Sequence, residues 1–299
     1  MRFGPLEPPT EPHVLLTTPR LRPAEDAVVH VPSGRVDEIS AALLAERRFD
    51  PDLLLVAYGG GRVIDTAKAI AGAVGARCAA IPTTLSGAEM TGFHRTPAGV
   101  EGARLVRPAL VLADPDVMAS APMPGLAASA MNALAHAMEA LYTPLANPVT
   151  TMAALRAATE LSAGIAADPP DRPALALGAV LAGYASGSTG IAVHHAVCQT
   201  LVRETGAPHA ETNAVMLPYS AAFMAPRAPK AIESFTAALG DHALPALAAL
   251  SGHTHLASLG VSERQLPGVA QVVAAHPLIA NTPQPPSEQE LLELLQAAL

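Results

Sequence analysis

DLLLVAYGGGRVIDTAKAIAGAV, residues 52–74, decides how the rest of the chain is read. An apolar run of strand length leads into three consecutive glycines, and the stretch after them has helical spacing until Gly75 stops it. Glycines without Cβ let the backbone approach a phosphate closely, and the free N–H groups of a helix's first turn point at the anion. The turn Tyr58-Gly59-Gly60-Gly61-Arg62-Val63-Ile64-Asp65-Thr66-Ala67-Lys68 is neither GxGxxG nor a P-loop, because no Gly-Lys-Ser/Thr follows. Taken alone it reads equally well as a phosphate cradle or as a tight strand-to-helix turn without ligand.

Working outward, HVLLTT (13–18), AVVHV (27–31), RCAAIP (77–82) and ALVLADP (109–115) join 52–58 as strand candidates. They are continuous apolar runs rather than alternating ones, which points to strands buried on both faces of a parallel sheet. Helical stretches at 36–48 and 62–74 lie between them, the pattern of an α/β domain. One gap is irregular: TPRLRPAED, 18–26, carries two prolines and is too short for a parallel crossover with its helix, which needs about 10–12 residues. Either one of the first two strands is misread, or they are not joined by a standard right-handed crossover. Beyond Pro124 the chain turns Ala- and Leu-rich with helical spacing at 124–142, 148–167, 173–186, 190–204, 211–224, 228–239, 243–250 and 287–298. The expectation is a dinucleotide-binding α/β domain over 1–117 and an all-α domain over 118–299.

Composition sets the outer limits. The chain has 299 residues, half of them hydrophobic and 15% charged, which excludes a disordered protein. A formal charge of −8 gives no basic face for nucleic acid. No apolar run reaches the ~20 residues of a membrane helix, and the first residues lack a signal-peptide apolar region. Two cysteines, Cys78 and Cys198, make no disulfide framework, so a reducing cytoplasm is expected. There is no tryptophan, so Leu, Val and Ala must fill the core.

Three histidine segments carry the remaining chemistry. Asn132, His136 and Glu139 in SAMNALAHAMEALY sit at i, i+4 and i+7 and share one helical face. VHHAVCQ (193–199) and PHAE (208–211) supply His194, His195 and His209. A single histidine on an apolar helix reads first as a satisfied core residue, and Cys198 as a small buried hydrophobe. His253 and His255 read as a solvated turn, and Arg104 and Arg107 equally as surface charge or as anchors for an acidic substrate.

The glycine triplet with Asp65 and Lys68, then Ile81-Pro82-Thr83-Thr84, then Asn-x-x-x-His-x-x-Glu, agree in order and spacing with one family. From about Val28 onward the chain resembles the iron-containing alcohol dehydrogenase and dehydroquinate synthase-like family. Within it, the maleylacetate reductase branch is most similar: Pro82 to Thr91, the Asn-Ala-x-Ala-His arrangement, Leu201 to Pro218, and Ala280-Asn281-Thr282-Pro283 carry that likeness.

The resemblance implies an NAD(P)H-dependent reductase that delivers a hydride to the activated double bond of an unsaturated oxo acid. It assigns cofactor contacts to Gly59, Gly60, Gly61, Asp65, Lys68, Thr83 and Thr84, and places Thr17 and Thr18 near the adenosine. It assigns catalysis to Asn132, His136, His195 and His209, positions where metal-dependent members hold Asp and three His. An amide at 132 lacks the anionic oxygen a divalent cation wants, so no metal is expected. If one binds, His136, His195 and His209 are its ligands. A homodimer acting on a small-molecule oxo acid, without nucleic acid or membrane, completes the expectation. The chain departs from the pattern at Arg62, where Ser is usual, at Gln199, where maleylacetate reductases have another His, and in a shortened region before the triplet. Two other readings stay open: a metal-dependent alcohol dehydrogenase or aldehyde reductase, and a non-catalytic member that keeps the fold as a binding module.

Overall fold

The structure is a computed structural model that describes residues 1–21 and 28–299. It divides into two compact units, Met1–Ser120 and Ala121–Leu299.

The first unit is built on six parallel strands: β1 (Arg2–Phe3), β2 (His13–Thr17), β3 (Val28–His30), β4 (Leu54–Gly59), β5 (Arg77–Pro82) and β6 (Leu110–Ala113). Their spatial order is β1-β6-β5-β4-β2-β3. The sheet is buried on both faces, as the unbroken apolar runs require. On one face Leu16, Leu55, Ala57, Cys78 and Ala80 pack with Ile39 and Leu43 of α1 (Val36–Glu46) and with Val63, Ile64, Ala67 and Ile70 of α2 (Gly61–Val74). Leu15, Leu54, Val56, Ala79, Ile81 and Leu112 form the core of the other face. Gly75, at φ 82°, ends α2 in the left-handed conformation that glycine adopts without strain. Gly72 is needed for space instead, since a Cβ there would lie 2.0 Å from the Arg104 carbonyl oxygen.

Both strands flanking the irregular gap are present, and β2 pairs directly with β3 in parallel, Leu15 opposite Val28. The first alternative, a misread strand, is thereby removed. The connection itself lies largely outside the described residues. β1 has no counterpart in the sequence reading; its two exposed residues are too few to show a period, and it forms by pairing with β6.

The second unit is helical: α4 (Met123–Ala140), α5 (Pro148–Ala166), α6 (Arg172–Thr189), α7 (Val193–Thr205), α8 (His209–Met224), α9 (Pro229–Ala238), α10 (Leu244–Ala249), α11 (Leu266–Ala274) and α12 (Glu288–Ala297). The short helix α3 (Pro115–Met118) precedes it in the first unit. α4 packs against α5, α6 and α8, and its alanines keep those neighbours close. At the α5–α6 contact a Cβ on Gly178 would lie 2.7 Å from Leu161 Cγ.

Side chains set several starts: Asn147 and Ser287 form capping boxes, and Asp171 accepts from Ala174 N–H. α6 runs further than its expected end at 186, and α7 starts later than 190, because Gly190 at φ 82° closes α6 and donates to the Ser186 carbonyl. α11 was not expected: Pro267 and Gly268 near its start look like breakers, yet proline is tolerated in a first helical turn. Among the described residues no single helix is long and apolar enough to cross a membrane.

Candidate active site

The strand order sets where a ligand belongs in the first unit. β2 lies between β3 and β4, and from there the chain proceeds outward in opposite directions, to β3 on one side and through β4, β5 and β6 on the other. In such open sheets ligands bind beyond the carboxyl ends of the strands at the point of reversal. Here that point lies between β2 and β4, where Thr17 pairs with Tyr58 immediately before the glycine triplet.

The three glycines have three different neighbours. A Cβ on Gly59 would come within 2.6 Å of Val63 Cγ2, one turn into α2. On Gly60 it would lie 3.1 and 3.2 Å from Thr84 Cγ2 and Oγ1, and on Gly61 3.2 Å from Ser86 Oγ. The segment after β5 is thus packed against the turn, tied by Thr83 N–H donating to the Gly59 carbonyl at 3.1 Å. α2 begins with no side-chain cap, and two buried hydroxyl oxygens of this region, Thr17 Oγ1 and Thr84 Oγ1, have no hydrogen-bond partner. Uncapped N–H groups and unsatisfied hydroxyls beside a Cβ-free turn fit a phosphate-bearing ligand.

The remaining expected contacts fall differently. Thr18 and Thr83 are half-buried at the same strand ends, and Arg62 is exposed. Lys68 is completely buried, with its ammonium 2.8 Å from Asp65 Oδ1, 3.0 Å from the Ala88 carbonyl and 2.7 Å from the Phe93 carbonyl. It clamps the segment after β5 onto α2. Glu89, on that segment, is wholly buried with both carboxyl oxygens unpartnered. Burial pushes its pKa up to about 7.

In the second unit three helices bring the histidines together. His136 of α4 stacks on His195 of α7, ring centres 4.1 Å apart and planes 18° from parallel. His194 meets His195 edge-on at 5.1 Å. His209, exposed at the start of α8, reaches the group through Asn213, whose amide lies 3.5 Å from its Nε2. Asn132 Oδ1, His136 Nδ1 and His195 Nε2 are all buried without a partner.

Glu139 organises the cluster. α7 has no cap of its own. Glu139 of α4 supplies one: Oε1 accepts from His194 N–H at 2.7 Å and His195 N–H at 3.3 Å, while Oε2 lies 2.6 Å from His195 Nδ1. A carboxyl group at the positive end of a helix is favourably placed.

Burial pushes the Glu139 carboxyl above its ordinary value. Burial, with neighbouring histidines, lowers His194 and His195 to about 3 and His136 well below its usual range. These imidazoles are neutral near pH 7. His194 is the satisfied core residue of the group, with Nδ1 2.9 Å from Ser220 Oγ and Nε2 3.1 Å from Asn213 Oδ1. Cys198 is buried beside it, and burial raises its thiol pKa. Ser220 gave no signal in the sequence, and Asn213 only as part of the Leu201–Pro218 stretch, without a role of its own. Glu139 did, by sharing the Asn132–His136 face.

Two nearly parallel rings carry their lone pairs in parallel planes, so both cannot aim at one ion about 2.0–2.1 Å from each nitrogen. Among the described residues no group of three or more His, Cys, Asp or Glu is placed to hold a metal. In this arrangement the rings of His136 and His195 are stacked and do not point at a common centre.

Residues 21–122 match the model of iron-containing alcohol dehydrogenase, and 126–299 that of the C-terminal part of the Fe-containing alcohol dehydrogenase family. Maleylacetate reductase 1 of Rhodococcus opacus is 36% identical over 291 residues, 92% of this chain and 79% of the relative. The crystal structure of maleylacetate reductase from Rhizobium sp. superposes with a TM-score of 0.82 at 30% identity, covering 96% of this chain and 89% of that one. That of the Agrobacterium tumefaciens maleylacetate reductase gives 0.83 at 28% identity with the same coverage. The chain belongs to the iron-containing alcohol dehydrogenase family.

Proposed function

We propose that the chain is an NAD(P)H-dependent reductase of the maleylacetate type, acting without a metal on an unsaturated oxo acid, as a homodimer in the cytoplasm. The observation that carries this reading is the cluster of buried, unpartnered polar atoms on Asn132, His136 and His195, held by neutral rings that do not converge on an ion. The maleylacetate reductases among its relatives support it. Two buried free thiols, Cys78 and Cys198, agree with a reducing compartment.

Bound NAD(P)H supplies the hydride. Gly59, Gly60 and Gly61 would seat its pyrophosphate, with Thr84 adding a hydroxyl there and Thr17 one near the adenosine. In the second unit a substrate whose double bond is conjugated to a carbonyl develops enolate charge as hydride adds. Preorganised side chains there stabilise that charge without a Lewis acid. Asn132 and the histidines would orient the oxo acid, and one proton, supplied through the histidine cluster, adds to the carbon next to the carbonyl.

A screen of NADH and NADPH against maleylacetate and simple aldehydes tests the reading. Nicotinamide oxidation with maleylacetate, unaffected by chelators, is expected. Turnover of aldehydes alone, restored by added metal, would overturn it in favour of a metal-dependent dehydrogenase. Failure to bind either nicotinamide would favour a non-catalytic module.

Asn132→Asp separates charge from geometry. Restoring one anionic oxygen leaves the stacked rings in place, so the variant purified without added metal is expected to remain substoichiometric in zinc and iron by elemental analysis. Stoichiometric metal in Asn132→Asp, with none in the parent, would show that the amide alone excludes the ion.

A further inference from the structure

We propose that Glu139 is a positioning residue: its carboxylate holds His195 as the Nδ1–H tautomer and thereby presents an unprotonated Nε2 to the substrate. The chemical consequence rests on the reductase reading above, whereas the tautomer itself does not.

Three contacts carry the inference. Glu139 Oε1 accepts from two backbone N–H groups at the start of α7, which have no carbonyl partner of their own in a helix's first turn. That leaves Oε2 for the imidazole, and its 2.6 Å separation from Nδ1 is that of a short, direct hydrogen bond. Both side chains are sealed from water, at 0% and 3% exposure, so no solvent competes for the contact. With the one ring proton on Nδ1, the opposite nitrogen carries a lone pair, and His195 Nε2 is the buried nitrogen that lacks a partner. The tautomer of a neutral histidine is set by the hydrogen bond its other nitrogen makes.

The consequence is a sorting of roles within the cluster. An unprotonated Nε2 cannot donate to a substrate carbonyl; it receives an O–H, such as that of the enol form of an oxo acid. Hydrogen-bond donation to the carbonyl oxygen then falls to His136 and the amide N–H of Asn132. The same nitrogen is the one positioned to take a proton from, or return it to, that oxygen.

Glu139→Gln tests this because glutamine keeps the cap while reversing the tautomer. Its carbonyl oxygen still accepts from the His194 and His195 N–H groups. Its amide now donates to Nδ1, which forces the proton onto Nε2. With histidine labelled in the ring nitrogens, and the His195 signals assigned by their loss in His195→Gln, the parent is expected to show a protonated Nδ1 and a bare Nε2. Glu139→Gln should show the reverse. With maleylacetate and NADH, kcat is expected to fall on the order of 10²–10⁴-fold, between the loss typical of an outer carboxylate partner and that of a triad carboxylate made an amide, with KM for NADH unchanged. Glu139→Asp should keep the parental tautomer and recover part of kcat.

If Glu139 merely caps α7, Glu139→Gln will leave both tautomer and kcat as they were, which overturns the proposal. A parent spectrum with the proton on Nε2 overturns it outright. A parental Nδ1–H tautomer that reverses in Glu139→Gln, in a protein inactive on every substrate screened, would uphold the positioning and count against the reductase reading alone.

Discussion

Gly60→Val is expected to give a folded protein that has lost NADH and NADPH binding, with dissociation constants raised at least about 100-fold. That corresponds to roughly 2.7 kcal/mol or more of lost binding energy. Gly60 is the clean position of the triplet because its backbone, at φ −78° and ψ −175°, is one that any residue adopts. No backbone strain accompanies the substitution, so its effect comes from the space the side chain takes.

A Cβ there already lies 3.1 Å from Thr84 Cγ2, and the branched methyls of valine extend beyond it into the approach to the uncapped start of α2. A phosphate needs that approach to reach the N–H groups. The neighbouring Gly59→Ala is the control with the opposite character. Its Cβ would press within 2.6 Å of Val63 on the turn's own helix, so it should cost stability before it costs binding. Fluorescence titration beside circular dichroism reads both. A folded Gly60→Val protein that binds nicotinamide with parental affinity would remove the glycine turn from the cofactor site.

Glu89→Gln is expected to make the protein more stable at pH 8 by about 3 kcal/mol relative to its effect at pH 4.5. The wholly buried carboxyl of Glu89 has no hydrogen-bond partner from another residue, and burial raises its pKa from 4.5 to about 7, its own backbone N–H and the Lys68 ammonium opposing the rise and the Asp65 carboxylate adding to it. Below pH 4.5 folded and unfolded chains both keep the proton, and the side chain carries no ionisation penalty. As pH rises towards 7 the unfolded chain releases the proton while the folded chain retains it, so stability falls across that window. Above 7 the loss is complete and constant.

At about 1.36 kcal/mol for each tenfold change in acidity, the rise from 4.5 to about 7 gives the expected size. Glutamine has nothing to ionise and removes the pH-dependent part, whatever its amide costs at every pH. Urea unfolding of both proteins at pH 4.5 and pH 8 supplies the difference of differences. An equal effect at the two pH values would mean that Glu89 ionises as freely in the folded protein as in the unfolded chain.

The sequence by itself determined the local elements wherever one physical signal dominated. Unbroken apolar runs fixed β2, β4, β5 and β6, because strands buried on both faces have no polar side to show. The glycine triplet between β4 and α2 was legible because only glycine permits packing within 2.6 Å of Val63 and 3.1 Å of Thr84. The spacing of Asn132, His136 and Glu139 placed them on one face of α4 without any tertiary information.

What the tertiary structure decided was every relation between elements distant in the chain. The pairing of β2 with β3 across a gap too short for a crossover helix, and hence the point of reversal beside Thr17, depends on sheet order, which no local pattern encodes. The stacking of His136 on His195 depends on how α4 meets α7, 59 residues apart in number. Motif matching assigned Lys68 to the cofactor, but in the fold its ammonium is enclosed by Asp65 and two backbone carbonyls. Glu139 shows the division within one residue: its spacing from His136 was visible in the sequence. Its work, capping α7 and bonding His195, arises only because a buried helix start must have its N–H groups satisfied, and α4 is the helix that lies there.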